Sequence, residues 1–206
     1  MGVTIVQHYP MTENRTGPQV IEFLTKRVHA MGAAQAGPFL VDCETYNSAP
    51  AFGPPRTVHL LNNSEQPATV FSILESGQKQ VPLVSDPLFM DLMKKLGSVY
   101  TCKQQTRMEA KGPRFEVADF LVKLGTVTMN ANFKGVLVEV EYRPCLVPAA
   151  CWELLREFMQ GFLGTCVPNQ PPSYLQNRMQ DIYQPLDTIQ QYLDQFREYR
   201  KAVTVR

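Results

Sequence analysis

Alternating apolar and polar positions predict short strands along most of the chain. Near residue 140, Val138 and Val140 share one face of such a strand, and Glu139 and Glu141 share the other. The same pattern predicts strands at 3–7, 39–46, 57–62, 68–74, 80–84, 99–109, 114–129 and 136–142. Turns rich in Gly, Pro or Asn at 75–78, 111–113 and 130–135 are expected to separate neighbouring strands.

Apolar residues at helical spacing predict four helices. The first follows Thr16-Gly17-Pro18, and the second follows the capping sequence Ser85-Asp86-Pro87. The third covers 151–163 and includes Trp152, and the last begins at about Asp187. Residues 165–177 contain three prolines and are expected to form an irregular connector to a C-terminal helical segment at 178–206.

The order of these elements predicts the fold class. Consecutive strands joined by short turns pair antiparallel, since parallel pairing needs long crossovers. The helices do not alternate with the strands as they do in a doubly wound fold. The expected fold is therefore α+β, with an antiparallel β-sheet closing into a barrel of about eight strands and helices packed against it. The length of 206 residues fits a single domain spanning 1–206.

Charge and cysteine content narrow the class of protein. Twenty basic residues face nineteen acidic ones, for a net charge of +1, whereas proteins that bind nucleic acid directly usually carry a basic excess. No apolar run reaches the roughly 18 residues of a membrane span, and no secretory leader is visible. Five scattered cysteines suit a reducing compartment. We expect a protein of the cytosol or nucleus that contacts neither nucleic acid nor membrane directly.

Two pairs of carboxylates are the candidates for chemistry. Glu139 and Glu141 point the same way from one strand, and Asp42 and Glu44 do so from another. Inside a barrel, such carboxylates opposite Lys or Arg would hold a divalent metal and a polyphosphate, as in tunnel-type phosphohydrolases. The interpretation favoured here is simpler: the glutamates form the solvated face of a half-buried strand. No Walker loop, dinucleotide fingerprint, nucleophile elbow or Cys-x-x-Cys motif occurs.

Aromatic residues of the last two helices allow two interpretations. Trp152, the only tryptophan, is expected to pack against the sheet. Tyr192, Phe196 and Tyr199 could pack on the body of the domain or form a landing surface for a partner. Because apolar stripes of helices usually face cores, the first alternative is favoured.

Several stretches together resemble the family of Mediator complex subunit 20. The resemblance runs from Met1-Gly2-Val3-Thr4 to the final helix, and it rests on the order and spacing of many short motifs. These are Val41–Tyr46, Phe120–Lys123, Gly125–Met129, Val138–Tyr142, Pro144-Cys145, Cys151-Trp152, Phe158–Gly164, Pro185, Asp187-Thr188 and Gln191-Tyr192. The Pro-rich loops at 47–56 and 165–177 are where the sequence departs from the family.

The resemblance implies a nuclear, non-enzymatic coactivator subunit without a cofactor. Members of this family lie in the head module of Mediator and pair with subunit 18, a related barrel protein. A helix of subunit 8 tethers that pair to the other head-module subunits, and the complex relays regulatory signals to RNA polymerase II. The resemblance assigns no catalytic, cofactor-binding or metal residues, and it assigns no residues to the partner interface. The alternative from the residues is a metal-dependent tunnel-type phosphohydrolase that uses Glu139 and Glu141.

Overall fold

The computed structural model describes residues 2–11 and 15–204, and these form nine strands and five α-helices. The strands are β1 (Val3–Tyr9), β2 (Ala34–Ser48), β3 (Arg56–Asn63), β4 (Val70–Ser76), β5 (Lys79–Ser85), β6 (Tyr100–Cys102), β7 (Met108–Val117), β8 (Phe120–Met129) and β9 (Asn132–Tyr142). The helices are α1 (Gly17–Ala30), α2 (Leu88–Lys95), α3 (Pro148–Leu163), α4 (Ser173–Gln176) and α5 (Pro185–Thr204). None of these helices, within the described ranges, has the length and apolar character needed to cross a membrane.

All nine strands belong to one sheet, in the order β1-β9-β8-β7-β2-β3-β4-β5, with β6 paired to β2. The ladders β1/β9, β2/β3, β3/β4 and β4/β5 are antiparallel. In the first of them Val6 lies opposite Glu139, and Thr4 lies opposite Glu141. The predicted α+β class, an antiparallel sheet with helices packed against it, is confirmed. Strands β1 and β5 stand at the two ends of the hydrogen-bonded order.

Two predicted boundaries near β7 and β8 are wrong. The turn expected at 111–113 lies inside β7, and the strand expected at 114–129 is divided by a turn after Val117. Gly112 is needed for close pairing rather than for turning, because a Cβ there would lie 2.0 Å from the carbonyl oxygen of Leu124. The turn falls at Ala118 instead, whose φ of 48° is unusual for a residue with a side chain.

Two other expected segments also differ from the structure. The strand expected at 99–109 is interrupted by a 3₁₀ turn at Gln104–Thr106, so that only its ends pair. The connector expected at 165–177 contains the short helix α4, and a 3₁₀ turn at Gly164–Cys166 precedes it. Both interruptions are single turns, which carry too few residues to produce a periodic signal in the sequence.

The chain divides into two compact units, and the single-domain organisation stays a prediction. Unit 1 comprises Met1–Phe39, Lys111–Val127 and Phe133–Arg206, and unit 2 comprises Leu40–Ala110 and Thr128–Asn132. In unit 1 the valine face of β9 packs against α1 and α3. Members of this core include Val136, Val138, Val140, Leu24, Val28, Trp152, Leu155 and Phe162. The expectation that Trp152 packs against the sheet is confirmed.

Helix α5 lies on the opposite, glutamate-bearing face of β9. Its apolar residues Ile189, Tyr192, Leu193 and Phe196 are all buried, so the interpretation of this helix as part of the core is confirmed. The hydroxyl of Tyr199 donates to the Val136 carbonyl oxygen at 3.0 Å. In unit 1, therefore, β9 has helices on both faces.

In unit 2, α2 packs on the face of β3 that carries Val58 and Leu60. Met93 of α2 is buried against these two residues and Tyr46. The Asp86 carboxylate accepts the Leu88 backbone N–H at 2.9 Å, as expected for the predicted start, but Pro87 is the N-cap and the helix begins one residue later than predicted, at Leu88.

Candidate functional site

Glu139 is buried in a network of charged and polar side chains. Its Oε1 accepts a bond from Lys123 Nζ at 2.8 Å, and its Oε2 accepts the Tyr192 hydroxyl at 2.5 Å. Glu139 is 3% exposed and Lys123 is 1% exposed. The interpretation of Glu139 and Glu141 as a solvated strand face is therefore wrong.

Glu141 is also covered rather than solvated. It is 8% exposed, and its Oε1 accepts the backbone N–H of Gly2 at 2.6 Å. The predicted alternation along β9 is correct, but the side opposite the valines is occupied by α5 and by the chain that leads into β1. Helix α5 approaches from the C-terminal end of the chain, far from β9 in sequence.

The geometry gives Glu139 a structural role. Both carboxylate oxygens already hold a partner, and a Lys–Glu pair in a dry environment depends on such additional hydrogen bonds to offset its desolvation. Within residues 2–11 and 15–204, no group of three or more His, Cys, Asp and Glu side chains has a metal-binding arrangement. A substrate approaching Glu139 from the α5 side would first have to displace Tyr192.

The second carboxylate pair meets Arg107 in unit 2. Asp42 and Glu44 do point the same way, as predicted, and Arg107 lies 3.4 Å from Asp42 Oδ2 and 3.9 Å from Glu44 Oε1. Glu109 completes the cluster at 3.5 Å. Burial raises the pKa of Asp42, and the positive charge of Arg107 only partly opposes that rise.

A cavity of about 720 Å³ lies beside Arg107. Its walls include Tyr46, whose hydroxyl donates to Glu44 Oε2 at 3.0 Å, and Cys102. Burial, together with the hydrogen bond to Glu44, raises the pKa of Tyr46, and burial followed by the charge of Glu44 raises that of the Cys102 thiol. Raised values keep both groups protonated at neutral pH, which is the reverse of what an activated nucleophile requires.

The most exposed apolar surface of unit 2 lies on β5 and α2. We call it the β5–α2 surface, and its residues are Val81, Leu83, Leu88 and Leu92. Val84 is also exposed, but it lies on the other face of β5. Leu88 is 71% exposed and Leu83 is 48% exposed. Val81 lies opposite Leu74, which packs on the same core as α2, so these exposed apolar side chains share the α2 side of the sheet. Exposed apolar side chains grouped in this way are typical of surfaces that bind another protein.

Pro82 limits how a partner can meet the β5–α2 surface. The β4/β5 hairpin turns at Gly77 and Gln78, so Ser76 and Lys79 form its first hydrogen-bonded pair. The alternation that follows directs the backbone groups of residues 80, 82 and 84 away from β4. Pro82 therefore removes the central N–H donor of the outer edge, a device that discourages pairing with another strand. A partner is expected to contact the side chains of this surface rather than extend the sheet.

The β5–α2 surface was not predicted from the sequence, although the sequence contains two signals of it. Residues Val81, Leu83 and Val84 break strict alternation, so β5 carries apolar side chains on both faces. Helix α2 has apolar residues on two sides, because Leu88 and Leu92 lie on the side away from the buried Met93. An element that is apolar on two sides requires a second cover.

Comparison with known proteins gives a family over almost the whole chain. A family model described as "TATA-binding related factor (TRF) of subunit 20 of Mediator complex" matches residues 1–197. A relative from Aedes aegypti, named "Mediator of RNA polymerase II transcription subunit 20", is 62% identical over 213 residues, covering 99% of this chain and 97% of the relative. Relatives of the same name from Drosophila melanogaster and Homo sapiens are 48% and 40% identical, covering 100% of this chain and 88% and 97% of their own lengths.

Proposed function

The chain belongs to the Mediator subunit 20 family, and from that premise we propose that it is a structural, non-catalytic adaptor of the nuclear Mediator head module. In this proposal it pairs with subunit 18, a helix of subunit 8 tethers the pair to the other head-module subunits, and regulators reach RNA polymerase II through the assembly. It contacts neither DNA nor membrane directly.

The β5–α2 surface is the observation that carries this proposal. A stable pair of proteins buries more than about 1,000 Å² around an apolar centre. Leu83 and Leu88 expose apolar side chains that the free chain leaves uncovered, and Pro82 keeps the neighbouring strand edge from serving as a non-specific template. We assign subunit 18 to this surface.

The alternative function, a tunnel-type phosphohydrolase using Glu139 and Glu141, has less support. Glu139 is engaged by Lys123 and Tyr192, and Glu141 is engaged by the N–H of Gly2. These contacts use the carboxylates to hold α5 and β1 in place. A catalytic role would need the same oxygens to be open to a metal or to water.

Co-expression with subunit 18 and the subunit 8 helix tests the assignment. Leu83→Glu combined with Leu88→Glu places two charges on the β5–α2 surface and is expected to weaken pairing by at least about 100-fold, because buried unpaired charges are costly. The matched control is Leu146→Glu combined with Ile182→Glu, two exposed apolar positions of unit 1. Size-exclusion chromatography should show a 1:1 pair for the wild type and the control. Pairing that survives the first variant would refute the assignment.

A further inference from the structure

A second cavity, of about 360 Å³, lies along the outer edge of β1 in unit 1. We call it the β1-edge cavity. Its walls combine one strand edge, one aromatic side chain from α3, a glutamine from α5 and the Pro-rich segment before and within α4. The lining residues that matter here are Val6, Gln7, His8, Trp152, Gln170 and Gln195.

Helix α5 covers the first part of this strand edge with a side-chain amide. Gln191 Oε1 accepts the Val6 N–H at 3.0 Å, and Gln191 Nε2 donates to the Thr4 carbonyl oxygen at 2.9 Å. One amide thus replaces the peptide group of a missing neighbouring strand. The backbone groups of Thr4 and Val6 therefore point outward, and by alternation those of His8 do the same.

Beyond Gln191 the same edge opens into the cavity. Helix α5 runs in the same direction as β1, since Tyr192 contacts Glu139 opposite Val6, and Tyr199 contacts Val136 opposite Tyr9. Four residues of helix rise about 6 Å, close to the rise of two residues along a strand, so Gln195 follows Gln191 as His8 follows Val6. The Gln195 Oε1 atom is nevertheless buried without a hydrogen-bond partner among the described residues. The Val6 carbonyl and the His8 N–H are directed to the side on which the cavity lies.

Gln7 is the second unsatisfied group of the cavity. Its side chain is more than nine-tenths buried, and its Nε2 has no hydrogen-bond partner in the part of the chain that the structure describes. A buried donor left without an acceptor costs about 1–3 kcal/mol. Two such amide groups in one cavity indicate a site that is completed by something other than the free chain.

We propose that the β1-edge cavity receives a short, extended, uncharged segment of a partner polypeptide that carries a glutamine or asparagine. The main chain of this segment pairs with the Val6 carbonyl and the His8 N–H, continuing the edge that Gln191 covers. Its side-chain amide supplies an acceptor for Gln7 Nε2, and a main-chain N–H of the same segment supplies a donor for Gln195 Oε1.

The walls of the cavity argue for this occupant. No Asp, Glu, Lys or Arg is among its described lining residues, so a charged segment would lose its solvation without compensation. Trp152, Pro168 and Pro171 line the cavity and offer apolar contacts. The volume is at the small end of ligand pockets and admits only a few residues of chain. The inference goes beyond the proposed pairing with subunit 18 and does not require it.

Photo-crosslinking in living cells tests the proposal. A photoreactive amino acid replaces Gln170, which is exposed and lines the cavity, and a matched control replaces the exposed Glu157 of α3. Products are isolated under denaturing conditions, so that capture does not depend on recovery of an intact assembly. We expect one partner segment, free of charged residues for three positions on either side of an Asn or Gln, at a yield at least tenfold above the control.

Two substitutions separate binding from folding. Gln7→Leu removes an unsatisfied buried donor, so this single variant should raise the Tm of the free chain by about 2–4 °C. The double variant, Gln7→Leu with Gln195→Leu, should lower the crosslinking yield at least tenfold. A synthetic peptide of the captured segment should shift the fluorescence of Trp152 saturably, and the double variant should abolish the shift. Crosslinks confined to this chain, a charged captured segment, or an unchanged yield in the double variant would each overturn the proposal.

Incorporation into the Mediator assembly is measured in a separate native purification. If the wild-type chain were absent from the purified assembly, the proposed function would be contradicted, but the crosslinking result would still stand. Normal incorporation without a captured segment would contradict the present inference alone.

Discussion

Glu139 was a candidate for catalysis in the sequence, and in the structure it forms part of a buried ion pair. Its two oxygens bind Lys123 and Tyr192, and none of the three side chains is more than slightly exposed. Burying a Lys–Glu pair adds little net stability, but removing one partner leaves an uncompensated charge in a dry environment. The pair therefore acts as a constraint that fixes α5 against β9.

Replacing either member of this pair should destabilise the fold strongly. We expect Glu139→Gln and Lys123→Met each to lower the free energy of unfolding by about 3–5 kcal/mol, and the double variant to lose less than the sum of the two. Urea unfolding followed by circular dichroism measures all three. Glu116→Gln, in an exposed pair with Arg143, is the control and should lose much less. Equal losses for Glu139→Gln and Glu116→Gln would contradict the structural role.

Asp42 gives a prediction about pH. Burial raises the pKa of Asp42 in the folded chain above its ordinary value of 3.8, so the native state disfavours the charged form. Asp42→Asn should therefore be more stable than the wild type at pH 7. This advantage should shrink as the pH falls through the raised pKa and vanish below 3.8, because the protonated wild-type carboxyl no longer carries the cost. Thermal unfolding across this range measures it, and an advantage that grows on acidification would have the wrong sign.

For single residues, the sequence predicted the direction of a side chain but not whether that side chain is buried. The alternation in β9 correctly placed Glu139 and Glu141 opposite Val138 and Val140. It could not indicate that both faces are covered, because the cover for Glu139 includes Tyr192, 53 residues away in sequence. Periodicity within one strand carries no information about such a distant helix.

Among the elements, α5 and β1 depend on each other through Gln191. This side chain accepts a hydrogen bond from the Val6 N–H and donates one to the Thr4 carbonyl oxygen. The Tyr183 hydroxyl donates to the same carbonyl oxygen at 3.0 Å. A covered strand edge is protected from pairing with other chains. Helix α5 therefore stabilises the sheet as well as the core.

Gln191→Leu should cost about 1–3 kcal/mol of unfolding free energy, since it leaves the Val6 N–H buried and unpaired. Gln195→Leu, one turn later on the same helix, is the matched control and should cost within about 0.5 kcal/mol, because its Oε1 has no partner to lose within the described chain. Chemical denaturation compares the two. Hydrogen exchange of the Val6 amide should also accelerate in Gln191→Leu alone. Equal costs would show that the edge contact contributes nothing.

Strand β5 gives a prediction about self-association. Pro82→Thr restores the N–H that the outer edge lacks, so the free chain should associate more strongly with increasing concentration. Val81→Thr is the control, because its backbone groups face β4. Sedimentation velocity over a range of concentrations distinguishes the two. Identical sedimentation of Pro82→Thr and Val81→Thr would show that Pro82 does not protect this edge.

Most elements could be predicted from the sequence, and the errors have identifiable causes. The turn expected at 111–113 was inferred from Gly112 and Pro113, yet Gly112 serves the close approach of Leu124 within the β7/β8 pair. The true turn uses Ala118 at positive φ, a residue that gives no turn signal. Tertiary pairing therefore overrode local preference at both positions.

For the molecule as a whole, family membership and structure both favour a subunit of a larger assembly. The chain belongs to a family of Mediator subunits, and its carboxylate clusters are engaged in internal contacts. The β5–α2 surface remains uncovered in the free chain. We therefore expect the chain to act through the partners that it binds.

This expectation can be tested by co-purification of a tagged chain from nuclear extract, followed by quantitative mass spectrometry. We expect stoichiometric recovery of the other head-module subunits of Mediator, with subunit 18 at a 1:1 ratio, and this recovery should survive moderate salt because the contacts are expected to be largely apolar. Recovery of the chain alone, as a stable monomer, would contradict the proposed function.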